Sequence, residues 1–329
     1  MKKRIPLPVR ITALVLGGIL TLIGLVWVVE KFIFASFFFK GAKTEMAIPG
    51  LWSGFVPQGF EKVDEDFYLI SGYDKTEGEP STIYTVKEGE RTGYKLYNAD
   101  GSAYTSHAGG VTHFNGFVYI ANDTGEDTTY CDMFLLSDLT DGDNKATKTD
   151  GIAIPNRLAY CSVYDGKLHV GAFYREGSQY LTPESHHLTT PCGDQNTALM
   201  LVYTLDEKTG KPVSDTPEHI YSTLSNVQGM CFTESGRMVL STSWGLNPSY
   251  LYAYDLEEAS TGSMQFNGAE VPVTYLDGDS LTQTVKCPPM SEELVYENGR
   301  VLILSESACM KYVFGKIMSG NFMRSFPIA

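Results

Sequence analysis

The chain has 329 residues and sets 25 Lys and Arg against 39 Asp and Glu, for a formal charge of −14. So acidic a chain repels phosphate backbones and anionic lipid surfaces, which excludes nucleic acid as a partner. With 43 % hydrophobic and 12 % aromatic residues it has ample material for a large core.

The N-terminus differs from the rest. Lys2, Lys3, Arg4 and Arg10 stand without an acid among the first ten residues, and Ile11–Val29 then runs for 19 uncharged, apolar positions. After Glu30-Lys31 a second apolar run, Phe32–Phe39, follows. At about 1.5 Å per residue the first run spans roughly the 30 Å of a bilayer core. The basic flank predicts a cytoplasmic N-terminus with everything downstream outside the cell. A cleaved signal peptide would end in an Ala-x-Ala-like site, which Ala35-Ser-Phe matches poorly, so an uncleaved signal anchor is favoured. The expected layout is a basic cytoplasmic segment (1–10), a single-pass anchor (11–39), a spacer (40–51) and an extracytoplasmic domain (52–329).

That domain repeats itself. Asn115-Gly116 sits between His113-Phe114 and the apolar Phe117–Ala121, the strongest short-range signal for a two-residue hairpin. Asp165-Gly166, Ser235-Gly236 and Asn298-Gly299 repeat the figure, and Glu65-Asp66 before Phe67–Ser71 is a degenerate first copy. Each turn leads into an apolar strand, a polar loop, a third strand and a weaker fourth. Third strands are expected at Thr82–Val86, Met133–Leu136, Leu199–Thr204, Tyr250–Tyr254 and Lys311–Phe314. The last two fourth strands are expected at Val271–Tyr275 and Phe322–Ile328. Helical periodicity is absent after the anchor. Five four-stranded repeats predict a five-bladed β-propeller, with a sixth sheet if Lys43–Phe55 forms one. Either Met46–Trp52 or Met323–Ile328 is expected to close the ring.

Three segments carry a family resemblance: Val56-Pro-Gln-Gly-Phe60, Val227-Gln-Gly-Met230, and Pro289–Leu294 with Leu302–Ser307. They resemble inner blade strands of uncharacterised exported bacterial propellers of the broad NHL/YVTN-like group. The resemblance implies an extracytoplasmic propeller and brings no catalytic residue with it.

In a propeller the blade entries and the loops between second and third strands emerge on one face, around the central channel. The entries place Gln58, His107, Arg157, Gln228 and Glu292 there, and the loops place Tyr73, Asp74, Asn122, Tyr174, Trp244 and Glu306. Polar groups beside aromatic rings suit a polar ligand, either a glycan or a small metabolite, or else a protein partner. Only one of the five entries is acidic, which argues against a glycosidase-like carboxylate set. His107 with Glu292 is the weak candidate for a base and its partner. The leading reading is therefore a binding or interaction module without a cofactor. The alternative is a hydrolase or lyase acting on an extracellular polar substrate.

The insertion Arg175–Thr197 holds Glu184, His186, His187, Cys192 and Asp194, but adjacent histidines diverge in extended chain, and no metal site is expected. Asp141-Gly-Asp143-Asn144 fails as a calcium loop because Lys145 interrupts its oxygen ligands. Of the six cysteines, Cys131 with Cys192 and Cys287 with Cys309 are the candidate disulfides. Cys161 and Cys231 occupy equivalent positions and read as core residues.

Overall fold

A computed structural model describes residues 6–29, 35–123 and 129–328. Lys2, Lys3, Arg4 and Glu30-Lys31 lie outside the described residues. The chain divides into two compact units, residues 1–41 and 42–329. The first contains a helix, Leu7–Val28, of which Leu7–Val26 is long and apolar enough to cross a membrane, and a short second helix, Ala35–Phe38.

The second unit is a five-bladed β-propeller. Its inner strands are Phe55–Asp64, Val111–Phe114, Tyr160–Tyr164, Val227–Phe232 and Ser291–Glu297. Each packs against the next, and the last returns to the first. Blades 1 to 4 are completed in order by antiparallel pairing. Blade 1 continues through Phe67–Asp74, Thr82–Lys87 and Glu90–Tyr97, and blade 2 through Phe117–Asn122, Thr129–Leu135 and Asp150–Ile154. Lys167–Gly171, Ala198–Thr204 and His219–Thr223 build blade 3, and Met238–Thr242, Ser249–Tyr254 and Leu281–Cys287 build blade 4.

The period-2 pattern of the strands explains the ring. In blade 1, Phe67 and Leu69 point to a cluster shared with Val111, Val118 and Ile120 of blade 2, whereas Tyr68 and Ile70 point to one shared with Val295, Leu302 and Leu304 of blade 5. Five such clusters occur, one at every blade junction. A blade buries each face only against a neighbour, at roughly 1.5–3 kcal/mol per large apolar side chain, so closure is needed to cover the last face.

Closure is made by Lys43–Ala47, which pairs antiparallel with Phe322–Pro327. Blade 5 thus runs Ser291–Glu297, Arg300–Ser305, Phe322–Pro327, Lys43–Ala47 from the axis outward. This corrects three expectations. The expected third strand Lys311–Phe314 is instead two 3-10 turns, Glu306–Ala308 and Met310–Tyr312, followed by the helix Val313–Ser319. The expected fourth strand of blade 5 is its third. Val271–Tyr275 does not close blade 4; within Ala269–Tyr275 it hairpins with Thr261–Phe266 and adds in parallel to the outer edge of blade 3.

The announcing turns form as expected. Asn115 and Gly116 sit at φ 46° and 86°, Asp165 and Gly166 at 50° and 68°, Asn298 and Gly299 at 50° and 75°. Blade 4 differs, with only Gly236 at positive φ.

Candidate functional site

One cavity of about 670 Å³ opens at the face opposite these turns. All five blade entries reach it: Gln58, His107, Arg157, Gln228 and Glu292. Every connection between second and third blade strands joins them, with Tyr73, Asp123, Phe173, Trp244 and Glu306 coming from blades 1 to 5 in turn.

The backbone aims these side chains by breaking regular pairing. The inner-strand ladder shifts register between Pro57 and Gly59, between Val227 and Gly229, and between Ser291 and Leu294. The residues skipped are Gln58, Gln228 and the Glu292-Glu293 pair. A bulge of this kind turns an extra residue out of the ladder and re-aims it. Ala108 and Met290, just before the inner strands of blades 2 and 5, hold φ of 50° and 56°. For residues with a Cβ that conformation costs about 1–2 kcal/mol each, and such strain gathers at functional sites. The strands then crowd below the cavity, where a Cβ on Gly110 would lie 2.4 Å from Glu293 Oε2.

The aromatic wall comes from blades 3 and 4. Phe173 and Trp244 stack at 6.1 Å between ring centroids, Tyr180 meets Trp244 edge-on at 6.3 Å, and the Arg175 guanidinium lies 4.2 Å from the Trp244 ring centroid. Arg157 donates through Nη2 to Asp123 Oδ2 at 2.8 Å and through Nη1 to the Gln179 carbonyl at 2.6 Å, with Tyr180 beneath its guanidinium.

The acidic floor comes from blade 5. Glu306 Oε1 accepts from the Tyr73 hydroxyl at 3.1 Å and the Tyr312 hydroxyl at 3.2 Å, and Gln58 is a further hydrogen-bond partner of the carboxylate. Lys311 donates to the Tyr73 oxygen and lies over the Tyr73 and Tyr312 rings. Burial raises the proton affinity of Glu306, while the Lys311 ammonium and these hydrogen bonds oppose the rise. Glu292 is only 4 % exposed and accepts from Gln228 Nε2 at 3.3 Å. Burial first, then the Glu306 and Glu293 charges, push its carboxyl well above the usual range. The cavity therefore holds one carboxyl whose proton affinity is raised well above the usual and one supported by phenolic hydroxyls and an ammonium. His107 stacks on Tyr73 at 4.5 Å, and desolvation followed by the Lys311 charge pushes its imidazole below the usual range, an effect that its exposed position weakens.

Eight of the eleven expected ligand residues line this cavity; Asp74, Asn122 and Tyr174 do not. Asp74 accepts from the Thr76 amide and lines an adjoining recess of about 220 Å³ that shares Tyr73 and His107 with the cavity. Asn122 is spent on Asp132 at 2.7 Å and Ser106 at 2.8 Å, which shapes the loop rather than the cavity. Tyr174 turns away to pack edge-on against His187. His107 and Glu292, the expected base and partner, share the cavity, but the group that acts on Glu292 is Glu306. Lys311, Tyr312, Gln179 and Tyr180 escaped sequence reasoning. The first two sit in the turns misread as a strand, where the absence of period-2 alternation was the available signal. The other two sit in the long insertion.

All six cysteines are free. Neither expected disulfide forms, because Cys131, Cys287 and Cys309 are buried in three different clusters while Cys192 is exposed. Cys131 instead faces Cys161 across the junction of blades 2 and 3.

No family model and no curated protein matches the chain. Solved structures overlay on most of it at low identity. The PQQ-bound aldose sugar dehydrogenase of Streptomyces coelicolor is 13 % identical with a TM-score of 0.47, covering 86 % of this chain and 96 % of that one. The Xanthomonas citri GH43_1 enzyme complexed with xylose is 10 % identical at 0.42, covering 87 % and 90 %. Myxococcus xanthus glutaminyl cyclase is 11 % identical at 0.39, covering 87 % and 94 %. No residue role is transferred from any of them.

Proposed function

We propose that the protein is a membrane-anchored, extracytoplasmic propeller whose cavity binds a polar, hydroxyl-rich ligand of the carbohydrate type. The observation behind this reading is the pairing of the Phe173–Trp244–Tyr180 wall with a floor of fixed amides, carboxyls and cations. A sugar offers apolar faces for stacking and hydroxyls that both donate and accept. A strongly charged ligand suits the cavity less, since Arg157 and Lys311 share it with Glu292 and Glu306. The anchor reading rests on the apolar Leu7–Val26 and the basic residues before it, which favour a cytoplasmic N-terminus.

A second reading, acid–base catalysis on the bound ligand, is favoured by the Glu292–Glu306 pair. Two carboxyls whose surroundings push their proton affinities apart divide naturally into acid and base. Glu292 would give a proton to a leaving oxygen and Glu306 would take one, as in a hydrolase or lyase.

A thermal-shift panel of mono- and oligosaccharides and polar metabolites on the full-length chain in detergent tests the first reading. A ligand at 100 times its Kd stabilises by about 2.7 kcal/mol, and Trp244→Ala and Arg157→Ala are expected to remove that shift. A panel without any shift, or a shift intact in both variants, would reject the cavity as the site. Turnover lost in Glu292→Gln with binding retained would select the second reading.

A further inference from the structure

Away from the cavity, two loops bring together a thiol and two carboxylates. The turn Thr190–Asp194 belongs to the blade 3 insertion, and Asp277-Gly278-Asp279 precedes the outer strand of blade 4. The ligand atoms of Cys192, Asp277 and Asp279 all lie within 4.8 Å of one another. Asp194 is beside them, its Oδ2 accepting the Gly278 amide at 2.8 Å.

We infer that this cluster is a binding site for a single divalent cation of the zinc class, which fastens the insertion to blade 4. Three acids and a thiol sit together, yet among the described residues no Lys or Arg pairs with any of them. Asp277 is 4 % exposed; its Oδ1 accepts the Asp279 amide at 3.2 Å, while its Oδ2 is buried with no hydrogen-bond partner. A buried carboxylate oxygen left without a donor is unfavourable, and a cation bound there relieves it. Both loops are held in place independently of an ion. Asn196 Nδ2 donates to the carbonyls of Ser222 and Leu276, and the Asp194 amide donates to Thr190 Oγ1. The donor set is therefore preformed.

Its chemistry selects the ion. One thiolate with two carboxylates suits zinc, which takes four ligands of mixed N, O and S, with water able to fill the last position. Calcium needs six to eight oxygens and gains nothing from sulfur. Binding forms a Cys192 Sγ–metal bond as the thiol proton leaves to solvent, so affinity weakens as pH is lowered. The same insertion supplies Gln179 and Tyr180 to the cavity wall, so the ion would stiffen that wall without touching the ligand.

The test uses the full-length chain in detergent, stripped with a chelator and dialysed against zinc alone. One zinc per chain is expected, with a melting temperature that rises with zinc and not with an equal concentration of calcium. Cys192→Ser and Asp279→Asn, both at exposed positions, should each weaken zinc binding at least tenfold. Asp277→Asn should melt higher than the stripped wild type and lose the zinc response. Substoichiometric binding by the wild type, or zinc affinity unchanged in Cys192→Ser and Asp279→Asn, would overturn the assignment and leave His186 and His187 as adventitious ligands.

Discussion

Glu292 and Glu306, drawn from the two ends of one hairpin in blade 5, face the same cavity, and the Glu306 charge raises the proton affinity of Glu292. Burial is the larger cause at both positions; the Glu306 and Glu293 charges add to it at Glu292, while the Lys311 ammonium and the hydrogen bonds oppose it at Glu306. A carboxyl whose folded-state value lies above its unfolded value holds extra protons in the native state. Its stabilising contribution is therefore complete in acid and is lost as pH rises from about 4.5 through the raised folded value. Glu292→Gln, which stays neutral, should melt above the wild type near pH 8, and the difference should shrink towards about pH 4.5. Melting curves across that range check this. A constant offset at every pH would show that the Glu292 carboxyl is not raised in the folded state.

The hairpin turns bear on stability alone. Gly116 sits at φ 86° with open space where a Cβ would go, so Gly116→Ala meets no neighbour and pays only for the left-handed backbone. The expected loss is about 1–2 kcal/mol, read from denaturant unfolding, with ligand affinity unchanged. An altered affinity would mean that the two faces of the ring are coupled.

Thiol reactivity follows burial. Cys192 is exposed and the other five cysteines are buried. A brief maleimide pulse on the native protein should add one label, at Cys192, and six after denaturation without reductant. Fewer than six in the denatured chain would reveal a disulfide that the structure does not contain.

Ring closure rests on a short strand. Lys43–Ala47 covers the outer edge of Phe322–Pro327 through three paired positions. Replacing residues 43–47 with a Gly-Ser linker should remove about 2–4 kcal/mol in ladder hydrogen bonds and cross-strand packing, and leave an open edge prone to association. Equilibrium unfolding together with light scattering measures both effects. Unchanged stability would place closure elsewhere.

Blade number was legible in the sequence because turn chemistry is local: Asn115-Gly116, Asp165-Gly166 and Asn298-Gly299 demand positive φ wherever they fold. The five blade entries followed from counting back from those turns. Strand partners were less legible. Ala269–Tyr275 has a strand's pattern, but nothing in that pattern says which edge it joins, and it joins blade 3. Lys43–Ala47 read as a spacer because its partner lies at the other end of the chain. Cysteine pairing failed for a related reason. Cys131 and Met133 share the inward parity of their strand while Tyr130 faces solvent, and that orientation depends on register. The Glu292–Glu306 pair was visible only as two separate candidates, since their meeting depends on the bulge at Glu292 and the 3-10 turn at Glu306.

The most direct test of the cavity as a ligand site uses its own tryptophan. The chain has three, of which Trp244 lines the cavity, so Trp27→Phe with Trp52→Phe leaves Trp244 as the sole reporter. Titration with the best-shifting saccharide should change Trp244 emission saturably, with the midpoint moved at least tenfold by Gln228→Ala or Arg157→Ala. A ligand that stabilises the protein while Trp244 emission stays constant would contradict the account.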